Sequence, residues 1–121
     1  HVVRLLLERG EEVVVVDDLS YGTPERVKGA SLVELDVASG QAPQTLAEVM
    51  DSHGVTAVIH FAARKQVGES VERPAWYYQQ NVGGLANMLL AMETGCRARS
   101  DATLVERAGL TDVLEIGIEM R

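Results

Sequence analysis

Apolar positions along the chain change period several times, and each change marks an element. Val2, Val3, Leu5, Leu6 and Leu7 cluster as on a helix and are followed by Gly10, a residue suited to the position just past a helix end. This pattern predicts a helix over 2–8, and it has neither a capping residue nor a first turn, as though it were cut into. Residues 12–16 end in four consecutive valines, Val13 to Val16. β-Branched side chains are stiff at χ1 and favour strands, and an unbroken apolar run predicts burial on both faces. The run stops at Asp17 and Asp18. Residues 19–30, with Ser20, Gly22, Pro24 and Gly29, read as turns, and 31–35 as a second short strand that stops at Asp36. A helix is predicted over 45–52, with Pro43 near its start, Leu46, Val49 and Met50 on one face, and Gly54 at its end.

Val55, Ala57, Val58, Ile59 and Phe61 are too few for a full helix and predict a third strand, over 57–61, buried on both faces. A polar segment containing Gly68 follows. Pro74 suits the first turn of a long helix on which Tyr78, Val82, Leu85, Leu89 and Met92 share one face. Beyond Met92 the character changes to scattered charge. Residues 102–108 fit a helix closed by Gly109. Residues 113–120 fit a strand by the alternation of Ile116, Ile118 and Met120, and a helix by Leu110, Val113, Leu114 and Gly117.

Helix, strand, turn, strand, helix, strand, helix is the order of a parallel sheet covered by helices, an α/β fold. In such sheets the ligand sits beyond the carboxyl ends of the strands. Asp17 and Asp18 stand at one such end, and Arg64, Lys65 and Gln66 at the mouth of another. The acids read either as a ligand contact, since an acid here bonds a ribose hydroxyl pair in dinucleotide-binding folds, or as solvated turn residues. Because both loops follow parallel strands, they are expected at the same sheet edge.

The 121 residues suffice for one domain with a real core, and a hydrophobic content of 46% is ordinary for a globular chain. A net charge of −7, with Arg64/Lys65 and Arg97/Arg99 as the longest basic clusters, argues against a nucleic-acid partner. No apolar run approaches about 18 residues, so no membrane span is expected. No signal peptide is expected from the residues present, and the first residue is His1, not Met. The single cysteine, Cys96, forms no internal disulfide, has no activating neighbours and fits a cytoplasmic location.

Three pieces carry a family resemblance: HVVRLLLERGEEVVVVDDLSYG, VELDV and VTAVIHFAARKQVGESVERPAWYYQQNV. Together they resemble the UDP-glucose 4-epimerases, within the extended short-chain dehydrogenase/reductase, NAD-dependent epimerase family. The most specific part is HFAARKQVGES followed by YYQQNV. The resemblance covers residues 1–94, and residues 95–121 form a tail without it. It implies a partial Rossmann-type doubly wound parallel sheet with NAD as cofactor. Asp17 matches the acid that binds the adenosine ribose, and Asp18 stands where the family often has Asn. Asp36 and Val37 match the pair flanking the adenine. Phe61, Ala62 and Ala63 match the strand end lying along the cofactor. Lys65 matches a lysine at the nicotinamide end, and Asn81 an asparagine on the long helix facing the cofactor. A UDP-sugar is the implied partner of the intact enzyme, and a homodimer through the helix over 75–92 is a further one. Trp76, Tyr77 and Tyr78 read as core or interface residues, His60 as a packed core histidine, and Gly83 and Gly84 as sites of close backbone packing.

The family's first strand and glycine-rich turn, which hold the pyrophosphate, have no counterpart in this sequence. Its Tyr-x-x-x-Lys pair is also absent: four residues after Tyr21, Tyr77 and Tyr78 stand Glu25, Asn81 and Val82. No catalytic residue and no metal ligand is therefore expected, and the chain reads as an incomplete fragment of an isomerase of galactose metabolism, inactive alone. A fragment of another nucleotide-sugar epimerase or dehydratase is the nearer alternative. A receiver-like signalling domain is the remote one, which Asp17, Asp18, Asp36 and Lys65 imitate in kind but not in spacing. In the strand order 3-2-1-4 the missing first strand is central, so the strands over 13–16 and 57–61 would flank a gap of roughly 10 Å. Direct closure of those two strands, or marginal folding, is expected over insertion of the tail.

Overall fold

The computed structural model describes residues 1–101 and 112–116, with side chains described for residues 1–95. The elements run α1 (Val2–Glu8), β1 (Glu12–Asp17), a 3₁₀ turn (Pro24–Val27), β2 (Ser31–Glu34), α2 (Ala42–Ser52), β3 (Val55–His60), α3 (Val67–Glu72), α4 (Pro74–Tyr78), a π-helical turn (Gln79–Gly83), α5 (Gly84–Asp101) and β4 (Asp112–Ile116). The strands form one sheet in the order β2-β1-β4-β3, every pair parallel.

The four valines of β1 are buried, as their unbroken run predicts. Side chains alternate across a strand, so they serve two cores. Val13 and Val15 pack with Val3 of α1, and with Leu6, Leu7, Val27, Ala30 and Leu32. Val14 and Val16 pack on the opposite face with Leu35, Val37, Ala42, Leu46, Val49 and Met50, and with Met88 and Ala91 of α5. Helices thus cover both faces of the sheet. The expected face of α2 is the buried one, although the helix starts at Ala42 rather than at residue 45. Gly10, at φ 81°, takes the left-handed position past α1 that its place in the sequence predicts.

Three expectations need correction. β3 is not buried on both faces: it is the edge strand of the described sheet, Thr56 and Ala57 are exposed, and only Val55 is fully buried. The polar segment around Gly68 is helical, as α3, with Tyr77 reaching back to hold it. The Tyr77 hydroxyl donates to Glu69 Oε2 at 2.8 Å and accepts from the Gln66 N–H at 3.1 Å. The long helix is interrupted at Gln79–Gly83 and buries a face other than the expected one. Tyr77, Gly84, Met88 and Ala91 face inward, while Tyr78, Val82, Leu85, Leu89 and Met92 are exposed. Small residues on the inner side let the helix axis approach closely: a Cβ on Gly84 would lie 3.0 Å from Val37 Cγ2. Gly83 has only Gln79 Cγ, at 4.0 Å, and is not a close-packing site.

The tail also departs from expectation. β1 and β3 do not close on each other; β4 lies between them, pairing Val13 with Val113 on one side and Ala57 with Val113 on the other. An unpaired buried backbone group costs about 1–3 kcal/mol, and the central slot exposes a row of them on both neighbours. A five-residue parallel strand satisfies both rows at once. Of the ambiguous segment 113–120, residues 113–116 are strand; residues 117–120, the expected helix over 102–108 and the Cys96 side chain lie outside the described residues and side chains.

Candidate functional site

All four strands are parallel, so the loops after β1, β2 and β3 leave at one edge of the sheet. A cleft opens there between them and the π-helical turn. Its floor is apolar, from Val16, Leu35, Val37 and Ala62, and its walls carry Asp17, Asp18, Asp36, Arg64 and Asn81. The Asp17 loop and the residue 61–66 loop therefore share a sheet edge, as expected.

The acids shape the loops they begin. Asp17 Oδ1 accepts the Leu19 N–H at 2.7 Å and steadies that residue in a left-handed backbone conformation, φ 54°, which a non-glycine residue seldom adopts. Asp18 Oδ1 accepts the Ser20 N–H at 3.0 Å and the Ser20 hydroxyl at 2.6 Å. Asp36 Oδ1 accepts the Ala38 N–H at 2.9 Å. Each is a local turn made by an acid's own side chain. The loop after β2 is held from above, since Asn87 Nδ2 donates to the carbonyls of Val37 and Ser39 at 2.9 and 3.0 Å.

Of the site residues expected from sequence, Asp17, Asp18, Asp36, Val37, Ala62, Ala63 and Asn81 all line the cleft. Phe61 and Lys65 do not: Phe61 is 43% exposed, and Lys65 is exposed outside the lining. Asn81 stands in the π-helical turn, and its amide is engaged with protein. Its Oδ1 accepts the Arg64 N–H at 2.7 Å and its Nδ2 donates to the Arg64 carbonyl at 3.0 Å. Those bonds supply the reason for an asparagine at a helical position.

Arg64 is the lining residue whose role sequence reading left open. Its Nη2 lies 2.7 Å from Asp18 Oδ2, a partner 46 residues away. Its position after a strand end placed it at the mouth, but no local pattern reveals a partner so distant. Ser20, Tyr21, Gly22 and Gln80 also line the cleft. His60 is half-buried at the end of β3, with Nδ1 buried and without a partner among the described residues. Burial pushes its imidazole below the usual histidine range. Burial and the bond to Glu69 push the Tyr77 hydroxyl upward. Among the described residues no group of three His, Cys, Asp or Glu side chains is placed to hold a metal ion.

Comparison with known proteins agrees with this architecture. Residues 1–105 match the model of the NAD dependent epimerase/dehydratase family. A UDP-glucose 4-epimerase of Klebsiella pneumoniae is 40% identical over 100 residues, covering 76% of this chain and 70% of that protein. One from Halalkalibacterium halodurans is 38% identical over 92 residues, covering 76% of this chain and 27% of that one. The crystal structure of the Brucella ovis UDP-glucose 4-epimerase in complex with NAD superposes with a TM-score of 0.71 at 41% identity, over 78% of this chain and 28% of the other. The Thermotoga maritima enzyme with UDP-glucose gives 0.70 at 30% identity, over 78% and 30%. The chain spans less than a third of the length of most of these relatives. A receiver-like signalling domain is displaced as a reading. On the family match and the parallel, doubly covered sheet, this chain belongs to the NAD-dependent epimerase/dehydratase family.

Proposed function

We propose that the cleft is the adenosine-binding half of an NAD site and that the chain is part of a UDP-glucose 4-epimerase-like enzyme. The observation that carries this is the placement of Asp17 at the carboxyl end of β1, beside an apolar floor of Leu35, Val37 and Ala62. An acid at that place accepts hydrogen bonds from a ribose hydroxyl pair, and the apolar floor suits a purine. Asp36 and Val37 flank the adenine in this reading, Ala62 lies beneath it, and Ala63 and Asn81 form the opposite wall. The residues present fit the adenosine half of the cofactor; the pyrophosphate-binding glycine-rich turn has no counterpart in the sequence. Phe61 and Lys65 stay in the proposal as contacts to the distal half, outside the cleft wall. Supporting it, the K. pneumoniae and H. halodurans relatives are named UDP-glucose 4-epimerases.

In the intact enzyme the substrate would be a UDP-sugar, and NAD would serve as a reversible hydride acceptor at the sugar carbon. Two solved relatives carry UDP-sugars, UDP-glucose and a formylated UDP-arabinopyranose. The names of the relatives favour the 4-epimerase over another nucleotide-sugar epimerase or dehydratase. We also propose a homodimer through the exposed strip of Tyr78, Val82, Leu85, Leu89 and Met92. With a single cysteine and no described helix long and apolar enough to cross a membrane, a cytoplasmic location goes with the proposal. Titration of the chain with NAD and with AMP tests the central reading. Saturable binding of both, weakened by Asp17→Ala, is expected; no binding of either nucleotide overturns it.

A further inference from the structure

Among the described residues three acids and one cation line the cleft, and the cation is Arg64. Its side chain is only 17% exposed and joins three parts of the molecule. Nη2 donates to Asp18 Oδ2 at 2.7 Å and Nη1 to the Ser20 hydroxyl at 3.2 Å, both on the loop after β1. The guanidinium lies 5.6 Å from the Tyr21 ring centroid and 5.4 Å from that of Trp76, which belongs to α4. The Arg64 backbone is fixed separately, by the two bonds to Asn81 at 2.7 and 3.0 Å. The cation is thus anchored at its root and bonded at its tip.

The loop after β1 needs such a hold. Leu19 sits at φ 54°, a conformation its Cβ disfavours, and the Asp17 carboxylate that would meet the ribose is bonded to that residue's N–H. If the loop relaxes, the carboxylate turns with it. A guanidinium suits the task because it donates to a carboxylate and a hydroxyl at once while aromatic rings lie near its faces; an ammonium does this less well.

We propose that Arg64 is a positioning residue for the ribose side of the cleft, holding residues 18–22 through Asp18 and Ser20 so that Asp17 is presented to the nucleotide. The inference rests on the cofactor reading above. It is distinct from that reading because it assigns affinity to a cross-cleft ion pair rather than to a nucleotide contact.

The test has two arms on the 121-residue chain. In the first, amide hydrogen exchange is measured without ligand. Arg64→Gln is expected to raise exchange at Leu19 and Ser20 about tenfold, the scale of losing a charge-assisted hydrogen bond. Exchange at residues 13–16 stays unchanged, and Arg64→Lys falls between the two. In the second arm NAD is titrated and followed by emission of Trp76, the single tryptophan. Affinity is expected to fall about tenfold in Arg64→Gln and to recover in part in Arg64→Lys, with Asp18→Asn adding nothing further in the Arg64→Gln background. Unchanged exchange at Leu19 and Ser20 overturns the proposal whatever the nucleotide does. Raised exchange with unchanged affinity overturns the positioning role and leaves the cofactor reading standing. Failure of the unaltered chain to bind NAD overturns the cofactor reading and the affinity claim with it, while the exchange arm still decides whether Arg64 holds the loop.

Discussion

Asn81 shows how one side chain can be misplaced by helix propensity and well placed by the fold. Both ends of its amide are bonded to the Arg64 backbone, so Asn81→Ala leaves a half-buried N–H and carbonyl without protein partners. A loss of about 1–3 kcal/mol of stability is expected, read as a lower urea midpoint. The glycine pair beside it divides in two. Gly83 meets only Gln79 Cγ at 4.0 Å, so Gly83→Ala should gain about 0.5–1 kcal/mol from backbone entropy. Gly84→Ala should lack that gain, because its Cβ would press on Val37 Cγ2 at 3.0 Å, and Val37 is stiff and packed in the core. Thermal midpoints of the two variants check the contrast. His60 supplies a pH dependence. Its folded pKa is lowered, so below the unfolded value of about 6.5 the unfolded chain binds more protons than the folded one. Its contribution is complete above that pH and is lost as the pH falls through 6.5 toward the folded pKa. Unfolding curves at pH 7.5 and 5.5 should show acid destabilisation that is smaller in His60→Gln. The acids at strand ends were legible from sequence because a polar stop after an apolar run is a local signal. The Asp18–Arg64 pair was not, because its partners are 46 residues apart.

At the scale of elements, the helical run from α4 through the π-helical turn into α5 makes the sharpest contrast between pattern and packing. Apolar spacing identifies Tyr78, Val82, Leu85, Leu89 and Met92 as one buried face, yet all five are exposed, and the π-helical turn at Gln79–Gly83 breaks the α-helical register between Tyr78 and Leu85. The sheet side is taken by Gly84, Met88 and Ala91, and the missing side chain at Gly84 permits close contact with Val37. Periodicity reports that residues share a face; it does not report which neighbour meets that face. With the strip as a dimer surface, Leu85→Glu combined with Leu89→Glu is expected to shift the chain to monomer in sedimentation velocity, with helical circular dichroism unchanged. β3 differs from its expected state for a related reason. An unbroken apolar run in β1 meant burial on both faces because helices lie on both sides there. In β3 the same kind of run sits at the edge of the described sheet. The pairing of β4 with both neighbours predicts that amides 13–16 and 112–116 are protected together and exchange cooperatively. Independent, rapid exchange at 112–116 would contradict the pairing.

At the scale of the molecule, the 121-residue chain is expected to show no turnover of UDP-galactose to UDP-glucose with NAD supplied. No tyrosine of the sequence is followed four residues later by lysine, so the proton-transfer pair of the resembled family is missing. A coupled assay for UDP-glucose checks this, and measurable turnover would overturn it. The sequence by itself determined the α/β class, the parallel order of elements, the family, the double burial of residues 13–16 and the acids at the cleft mouth. All of these follow from local period, from residues adjacent in the chain, or from motif resemblance. Tertiary structure alone decided which strand fills the centre of the sheet, which face of α5 meets it, and which residue spans the cleft. Residues 112–116 lie beyond the family match over residues 1–105, yet two rows of backbone groups in the central slot need partners, and that demand arises only once β1 and β3 stand on either side. Contacts between distant segments are chosen by the geometry of the assembled layers, so local pattern carries no record of them.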